Sequence, residues 1–387
     1  MDGFLKLLEG VFEFHWQFLI MYAIGGTLIY LAVAKDYEPM LLLPIGFGAI
    51  LVNLPLAMIW GTPTEAGLLQ VLYNSGILTE LFPALIFVGI GAMTDFRPLM
   101  STPKMMFFGA AAQFGIFFTV LAVLGLTELF PSLNFSLYDA ASIGIIGAAD
   151  GPTSIVVASQ FSPALLGPIS VAAYSYMALV PIIQPPIIRL LTSKEERKIR
   201  MVYSHITPPK WVMVLFPIAV TVLAGVIAPI SVPLIGLLMF GNLLRESGVV
   251  LRLANAAQNE LSNIVTLLLG ITIGATMHFD KFLQWQTLAI LGLGLVAFVF
   301  DTAGGVLFAK LMNLFSRQKV NPMIGAAGIS AFPMASRIVQ RMAKEEDPQN
   351  FILMQAAGAN VAGQIGSVIA GGVILSLTPW LVTLLGG

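Results

Sequence analysis

Apolar runs, cut at intervals by Gly, Pro and short polar stretches, extend along almost the whole chain. They lie at roughly residues 16–34, 40–60, 78–94, 105–127, 141–160 and 165–191, and again at 211–229, 233–246, 261–277, 285–312, 322–340 and 350–386. Stretches of about 20 apolar residues are what membrane-crossing helices need, so the pattern predicts an all-α polytopic membrane protein. Between the two sets sits a polar stretch, Thr192 to Lys210, which carries Lys194, Arg197, Lys198, Arg200 and Lys210. The expected organisation is a first membrane repeat over 1–192, a cytoplasmic linker over 193–210 and a second membrane repeat over 211–387. The first run begins near His15-Trp16, after a mixed amphipathic stretch holding Asp2, Lys6 and Glu9, and lacks a small-residue cleavage site. It is expected to be a retained helix and not a signal peptide.

The two sets of segments match one another in order. Leu78 to Gly91-Ala92-Met93-Thr94-Asp95-Phe96 matches Leu261 to Gly274-Ala275-Thr276-Met277-His278-Phe279 at an offset of 183. Two Gly-Ala-Ala turns follow at an offset of 178, Gln184 and Gln364 at 180, and Trp16 and Trp211 open the two halves. Loop charge then orients the helices. Lys35, the Arg97/Lys104 loop, the 192–210 stretch, Arg245/Arg252 and Arg317/Lys319 should be cytoplasmic, whereas the loops at 61–77 and 128–140, without Lys or Arg, should face outward. Full crossings at both 141–160 and 165–191 would put 192–210 on the wrong side. The conflict disappears if 141–160 re-enters from outside without crossing, and 322–340 likewise from the cytoplasm, where Arg341 and Lys344 belong. Each half then makes five crossings plus one broken or re-entrant segment, and the odd count makes the repeats inverted. Lys281, beside Asp280, is the one exception to the charge rule.

Composition narrows the chemistry. The 387 residues are 57% hydrophobic and 10% charged, with a net charge of −1, and nothing suggests nucleic acid as a partner. The chain has no cysteine, which excludes disulfides, thiolate metal sites and cysteine catalysis, and its three histidines (His15, His205, His278) are far apart.

The informative motif is Gly147-Ala148-Ala149-Asp150-Gly151-Pro152-Thr153, an acid beside Gly-Pro inside an apolar segment. Such an acid is costly in a membrane unless something charged visits it. The second copy, Gly325-Ala326-Ala327-Gly328-Ile329-Ser330 with Pro333, replaces the acid by glycine. Paired Gly/Pro-interrupted segments at matching positions point to an ion or substrate site. Gly151 and Pro152 free backbone carbonyls that, with Asp150 and the Thr153 and Ser154 hydroxyls, suit Na⁺ or a proton and argue against zinc or copper. Asp150 can alternatively cap a water-filled helix end.

In the second copy the candidates are Asn321, Gly325, Ser330 and Arg337. If the segment re-enters, Arg337 stands about 10 Å of helical rise from Ser330, and a guanidinium there can hold a carboxylate in bidentate fashion or simply snorkel. Asn360, in Gly358-Ala359-Asn360-Val361-Ala362-Gly363-Gln364, fits either close helix packing or a sodium ligand. Tyr174 and Tyr176 fit interfacial anchors as well as a functional role. Asp301 can bind an ion or pair with a neighbouring helix, while Asn53 and Asn242, at matching positions, look structural.

These residues resemble a known family. "GAADGPTSI", "NPMIGAAGISAFPMASR" and "NFILMQAAGANVAGQIGS" are similar over what looks like full length to the beta subunits of the biotin-dependent, sodium-pumping decarboxylases of bacteria and archaea, of the oxaloacetate, methylmalonyl-CoA, glutaconyl-CoA and malonate types. The resemblance implies a multi-pass cell-membrane subunit that decarboxylates carboxybiotin, consumes a proton and exports Na⁺. It implies that Asp150 ligates sodium and exchanges a proton, with Gly151, Thr153, Ser330 and Asn360 about the ion. Asn321, Gly325, Ser330 and Arg337 would serve sodium passage and the carboxybiotin, and Tyr176 the proton. The implied cofactors are Na⁺ and biotin carried on a partner. The implied partners are a biotin-carrier subunit, a carboxyltransferase (alpha) subunit and a small membrane (gamma/delta) subunit, and a homo-oligomer is expected. The chain is shorter than oxaloacetate-type members, which tilts towards an acyl-CoA-linked complex. The rival from another class is a stand-alone sodium-coupled carboxylate transporter, for which inverted repeats with broken segments are equally expected.

Overall fold

The structure, a computed structural model, describes residues 12–55, 59–61, 65–201 and 208–385. Asp2, Lys6, Glu9 and His205 lie outside the described residues. The principal helices are α1 (Trp16–Lys35), α2 (Pro39–Val52), α3 (Leu68–Ile77), α4 (Leu81–Met93), α5 (Pro103–Leu129), α6 (Leu137–Ala148), α7 (Gly151–Phe161) and α8 (Leu166–Leu191). After the linker come α9 (Lys210–Ile227), α10 (Val232–Ser247), α11 (Ser262–Ala275), α12 (Trp285–Phe315), α13 (Met334–Glu346) and α14 (Leu353–Leu385). The described chain is all helical, as the apolar runs predict.

Several predicted segments end early, for local reasons. Four helices are long and apolar enough to cross a membrane (α1, α5, α12 and α14), or six if α3–α4 and the bent α8 each count as one span. The expected segment 40–60 stops at Val52 because Asn53 leaves the helix to hold the chain across from it: its Nδ2 donates to Met277 O at 2.9 Å and its Oδ1 accepts from Phe279 N at 2.9 Å. The expected outward loop 61–77 instead contains α3, which meets α4 at 61°. Its Leu68, Leu69, Val71 and Leu72 are enough to carry a helix, and lack of positive charge alone does not make a loop. α8 bends by 65° at Met177–Leu179. Pro181, four residues after Met177, has no N–H for that carbonyl, which accounts for the kink.

The offset of 183 has a structural counterpart. Asn53 at the end of α2 donates to Met277 O after α11, and Asn242 in α10 donates to Thr94 O after α4, each at 2.9 Å. Thr94 and Met277 are themselves 183 residues apart. The two helix pairs approach backbone to backbone. A Cβ on Gly91 would lie 1.8 Å from Leu238 O, and one on Gly274 would lie 2.2 Å from Ile45 O. Such contact is possible only where a glycine faces the partner's backbone and is a strong form of small-residue packing in membranes. Thus α2 packs on α11 and α10 packs on α4, each pair joining an early helix to a late one.

The inner layer is built from α5–α8 and α12–α14. Asp301 is fully buried on α12 and accepts Ile116 N of α5 on Oδ1 at 3.2 Å, while its Oδ2 has no hydrogen-bond partner among the described residues and faces Gly147. Of the two roles open to this acid, it performs helix pairing with one oxygen.

Candidate ion site between two broken segments

The first broken segment is defined by its caps. Ser136 and Asp139 form a reciprocal capping box that starts α6. The helix then tightens over Ile145–Ala148 and ends on Ala149, whose φ of 52° is left-handed and uncommon outside glycine. Asp150 follows in an extended conformation as N-cap of α7, accepting Thr153 N on Oδ1 at 3.4 Å. Capping explains why an acid suits this place, but it does not explain the rest of its surroundings. The residue is buried, and Oδ2 also accepts the Thr153 hydroxyl at 2.8 Å and the Ser367 hydroxyl at 2.7 Å. Two hydroxyls gathered on a buried carboxylate at a helix N-terminus make a small anionic oxygen cage.

The second broken segment closes the cage from the other side. After a single turn at Met323–Ala326, extended by turn bonds to Gly328, the chain is irregular as far as Pro333, the N-cap of α13. Its freed backbone groups are taken up by neighbours. Ser330 N donates to Ala148 O at 3.1 Å, Gln184 Nε2 to Ala326 O at 2.7 Å, and Asn360 Nδ2 to Ile329 O at 2.6 Å. The first of these joins the two broken segments directly. A cavity of about 240 Å³ lies at the join, lined by Asp150, Ala149, Ser330, Pro333 and Gln364 with an apolar wall that includes Phe87 and Met177.

One face of α14 serves both segments. Asn360, Gln364, Ser367 and Gly371 recur at helical spacing. Ser367 bonds Asp150, Gln364 lines the cavity, and Gly371 packs on Thr153. Asn360 Oδ1 is buried and has no hydrogen-bond partner among the described residues. Asn360 stands two helical turns along α14 from Ser367 and holds the residue before Ser330; an orphan amide oxygen and a hydroxyl-wrapped carboxylate are each of the kind that a hard monovalent cation prefers. Among the described residues no group of three or more His, Cys, Asp or Glu is placed to hold a metal ion.

The other expected site residues fall into different positions. Gly151 is pressed by the ring of Tyr174, which would lie 2.1 Å from a Cβ there, and the buried Tyr174 hydroxyl has no hydrogen-bond partner among the described residues. Tyr176 points elsewhere: its hydroxyl donates to Leu291 O on α12, and its ring packs on Gly294. The structure therefore brings Tyr174, not Tyr176, against the Asp150 turn. The Ser154 hydroxyl, expected at the cation, is occupied by Asp150 O at 2.8 Å. Asn321 is fully buried with Nδ2 on Arg197 O (2.9 Å) and Ile199 O (3.0 Å) and Oδ1 on Met323 N, so it fastens the linker instead of facing the cavity. Gly325 is in backbone contact with Gly305 of α12. Arg337 is exposed on the first turn of α13 and forms no ion pair among the described residues. Ser367 escaped the sequence reading, although its spacing from Asn360 and Gln364 on one apolar helix is a signal that could have found it.

Comparison with known proteins gives a consistent relationship. Residues 17–378 match the family described as Na⁺-transporting oxaloacetate decarboxylase beta subunit. The chain is 49% identical to the methylmalonyl-CoA decarboxylase subunit beta of Propionigenium modestum, with 95% of this chain and 96% of that one aligned. It is 49% identical to the glutaconyl-CoA decarboxylase subunit beta of Acidaminococcus fermentans (97% and 99% covered). It is 48% identical to the oxaloacetate decarboxylase beta chain of Klebsiella pneumoniae (97% and 99% covered).

Proposed function

The chain belongs to the family of Na⁺-transporting decarboxylase beta subunits, and on that footing we propose that it decarboxylates carboxybiotin brought by a biotin-carrier partner and exports Na⁺ through the cage at Asp150. The observation that carries this reading is the pair of hydroxyls, Thr153 and Ser367, on one carboxylate oxygen at 2.8 and 2.7 Å, where two broken segments meet. We place Na⁺ among Asp150, Thr153, Ser330, Ser367 and the free Asn360 amide oxygen, with Gly151 keeping the turn compact. Two inverted repeats about this point would allow the cage to face either side of the membrane in turn.

The chemistry follows from charge. A bare carboxylate in a dry site must be balanced, so Na⁺ and a proton compete for Asp150. Moving one positive charge outward against 100 mV costs about 2.3 kcal/mol. Carboxybiotin supplies an exergonic loss of CO₂ whose departing ureido nitrogen needs a proton. Arg337, exposed and unpaired among the described residues, holds the N-carboxylate, and a proton held at Asp150 is released when Na⁺ enters. Ser330, shared between the second segment and the cavity, relates the two places. Asn321 and Gly325 act at one remove, by fixing the segment that bears Ser330 and Arg337. Tyr174 takes over the proton-side role expected of Tyr176.

The chain acts in this reading within a complex. Carrier, carboxyltransferase and small membrane subunits complete it, and a homo-oligomer of the chain is part of the proposal. Reconstitution of the whole complex in vesicles tests it. Sodium-22 should accumulate only when a carboxylated carrier is supplied, with Na⁺ and acid competing. Movement of a free carboxylate with Na⁺ by this chain alone would overturn it in favour of a coupled transporter.

A further inference from the structure

The charges around α13 are sorted in a way the sequence does not disclose. The helix and the residue after it carry Arg337, Arg341, Lys344, Glu345, Glu346 and Asp347, a balanced set of three bases and three acids. Arg341 and Glu345 stand four apart, the spacing at which an isolated helix forms an ion pair. In the structure Glu345 instead meets Arg189 of α8 at 3.0 Å, Glu346 meets Arg197 at 2.7 Å and Asp347 meets Arg200 at 2.7 Å. All three acids are thus occupied by arginines of α8 and the linker.

The bases are left over. Arg337, Arg341 and Lys344 are exposed, form no ion pair among the described residues, and share one face at i, i+4 and i+7. Like charges at this spacing disfavour the helix itself, so the stripe does not serve local stability. Lys344 Nζ lies 4.3 Å from the ring centroid of Phe351, which steadies the ammonium without neutralising it. At its other end the stripe begins beside Phe332 and Pro333, which line the Asp150 cavity.

We propose that Arg341 and Lys344 form a docking face for an acidic surface of the biotin-carrier partner, steering its carboxylated group towards Arg337. The proposal rests on the reading of the chain as a carboxybiotin decarboxylase. Its basis is charge complementarity: an uncompensated basic stripe beside the cavity attracts an acidic surface, raises its encounter rate and fixes its register. Salt weakens such steering over a Debye length of about 8–10 Å. Anionic lipid headgroups share the chemistry of the stripe, but a stripe that leads to the mouth of one cavity is arranged for delivery to that place.

The test uses the assembled complex in nanodiscs of neutral lipid and, separately, of lipid containing phosphatidylglycerol. The carboxylated carrier subunit is added in trans, with free carboxybiotin as control. The double variant Arg341→Glu/Lys344→Glu should raise KM for the carrier on the order of tenfold at low salt. The difference should shrink as salt rises, and kcat and turnover of free carboxybiotin should be unchanged in both nanodiscs. The milder Arg341→Gln/Lys344→Gln should move KM in the same direction by less, and reversing acids on the carrier should restore the Glu variant. An unchanged carrier KM overturns the proposal. So does an effect confined to the phosphatidylglycerol nanodiscs, which would assign the stripe to lipid. Wild-type complex that does not decarboxylate carrier-borne carboxybiotin at all would instead overturn the function on which the proposal rests.

Discussion

The two broken segments have the same Gly-Ala-Ala beginning and opposite contents. In the first, Asp150 occupies an N-cap with room for a carboxylate and two hydroxyl partners. In the second, the matching residue, at the offset of 178, is Gly328, and a Cβ there would lie 2.3 Å from Phe108 O. From above, a Cβ on Gly363 would lie 2.1 Å from Gly328 O. The second copy therefore lacks an acid because two helices use its backbone as a packing surface. The two copies of one motif thus differ in content, an acid with hydroxyl partners in the first and a backbone packing surface in the second.

The sharpest test of that difference moves the acid. Asp150→Asn should raise the Na⁺ concentration for half-maximal decarboxylation on the order of a hundredfold or more, since bonds to a charged group contribute about 1.5–3 kcal/mol each. Sodium-22 uptake by the reconstituted complex reads this, with size-exclusion chromatography confirming assembly. Gly328→Asp should give no second site. It should lower stability by at least the roughly 1–3 kcal/mol of an overpacked core, visible as a fall in thermal midpoint. A stable Gly328→Asp protein with an altered Na⁺ response would break the comparison. Ser367→Ala removes one donor from the cage and should weaken Na⁺ about tenfold, in line with loss of a single charge-assisted bond. Titration of activity against Na⁺ at fixed pH checks it.

The smallest effect concerns how the second segment is held at the surface. Arg200 and the Gln349 N–H keep the half-buried Asp347 carboxyl below its ordinary value of 3.8. A carboxyl lowered on folding stabilises the native state above its unfolded value, and that contribution disappears as pH falls through the folded one. The thermal midpoint of Asp347→Asn should therefore sit slightly below wild type near neutrality and converge with it in acid. Because Arg200 is exposed at the surface, the gap should also narrow with added salt.

Much of this was readable from residues alone, and the misses have physical causes. Apolar runs fixed which stretches are helical, and Gly151-Pro152 fixed where one of them breaks. Helix ends were harder. Asn53 stops α2 only because Met277 and Phe279 wait across the molecule, 224 and 226 residues away. Tyr174 and Tyr176 stand two positions apart, on opposite sides of α8, so only the gap left by Gly151 decides which ring meets the acid turn. Asn321 is expected, by resemblance, to serve sodium passage and the carboxybiotin, yet its amide is spent on Arg197 and Ile199. Ser367 is marked only by its helical spacing from Asn360 and Gln364, and that spacing does not tell a cage residue from a packing one until an acid arrives beside it.

The packing of α10 on α4 bears on how the chain is made. α4 presents its glycine face to the bilayer with no matching surface until α10 has left the ribosome, some 150 residues later: Gly91 meets Leu238 and Val88 meets Gly241. The amino-terminal portion must wait in the lipid as an unfinished product, so a nascent chain arrested before residue 232 should be open to proteases that the completed one resists.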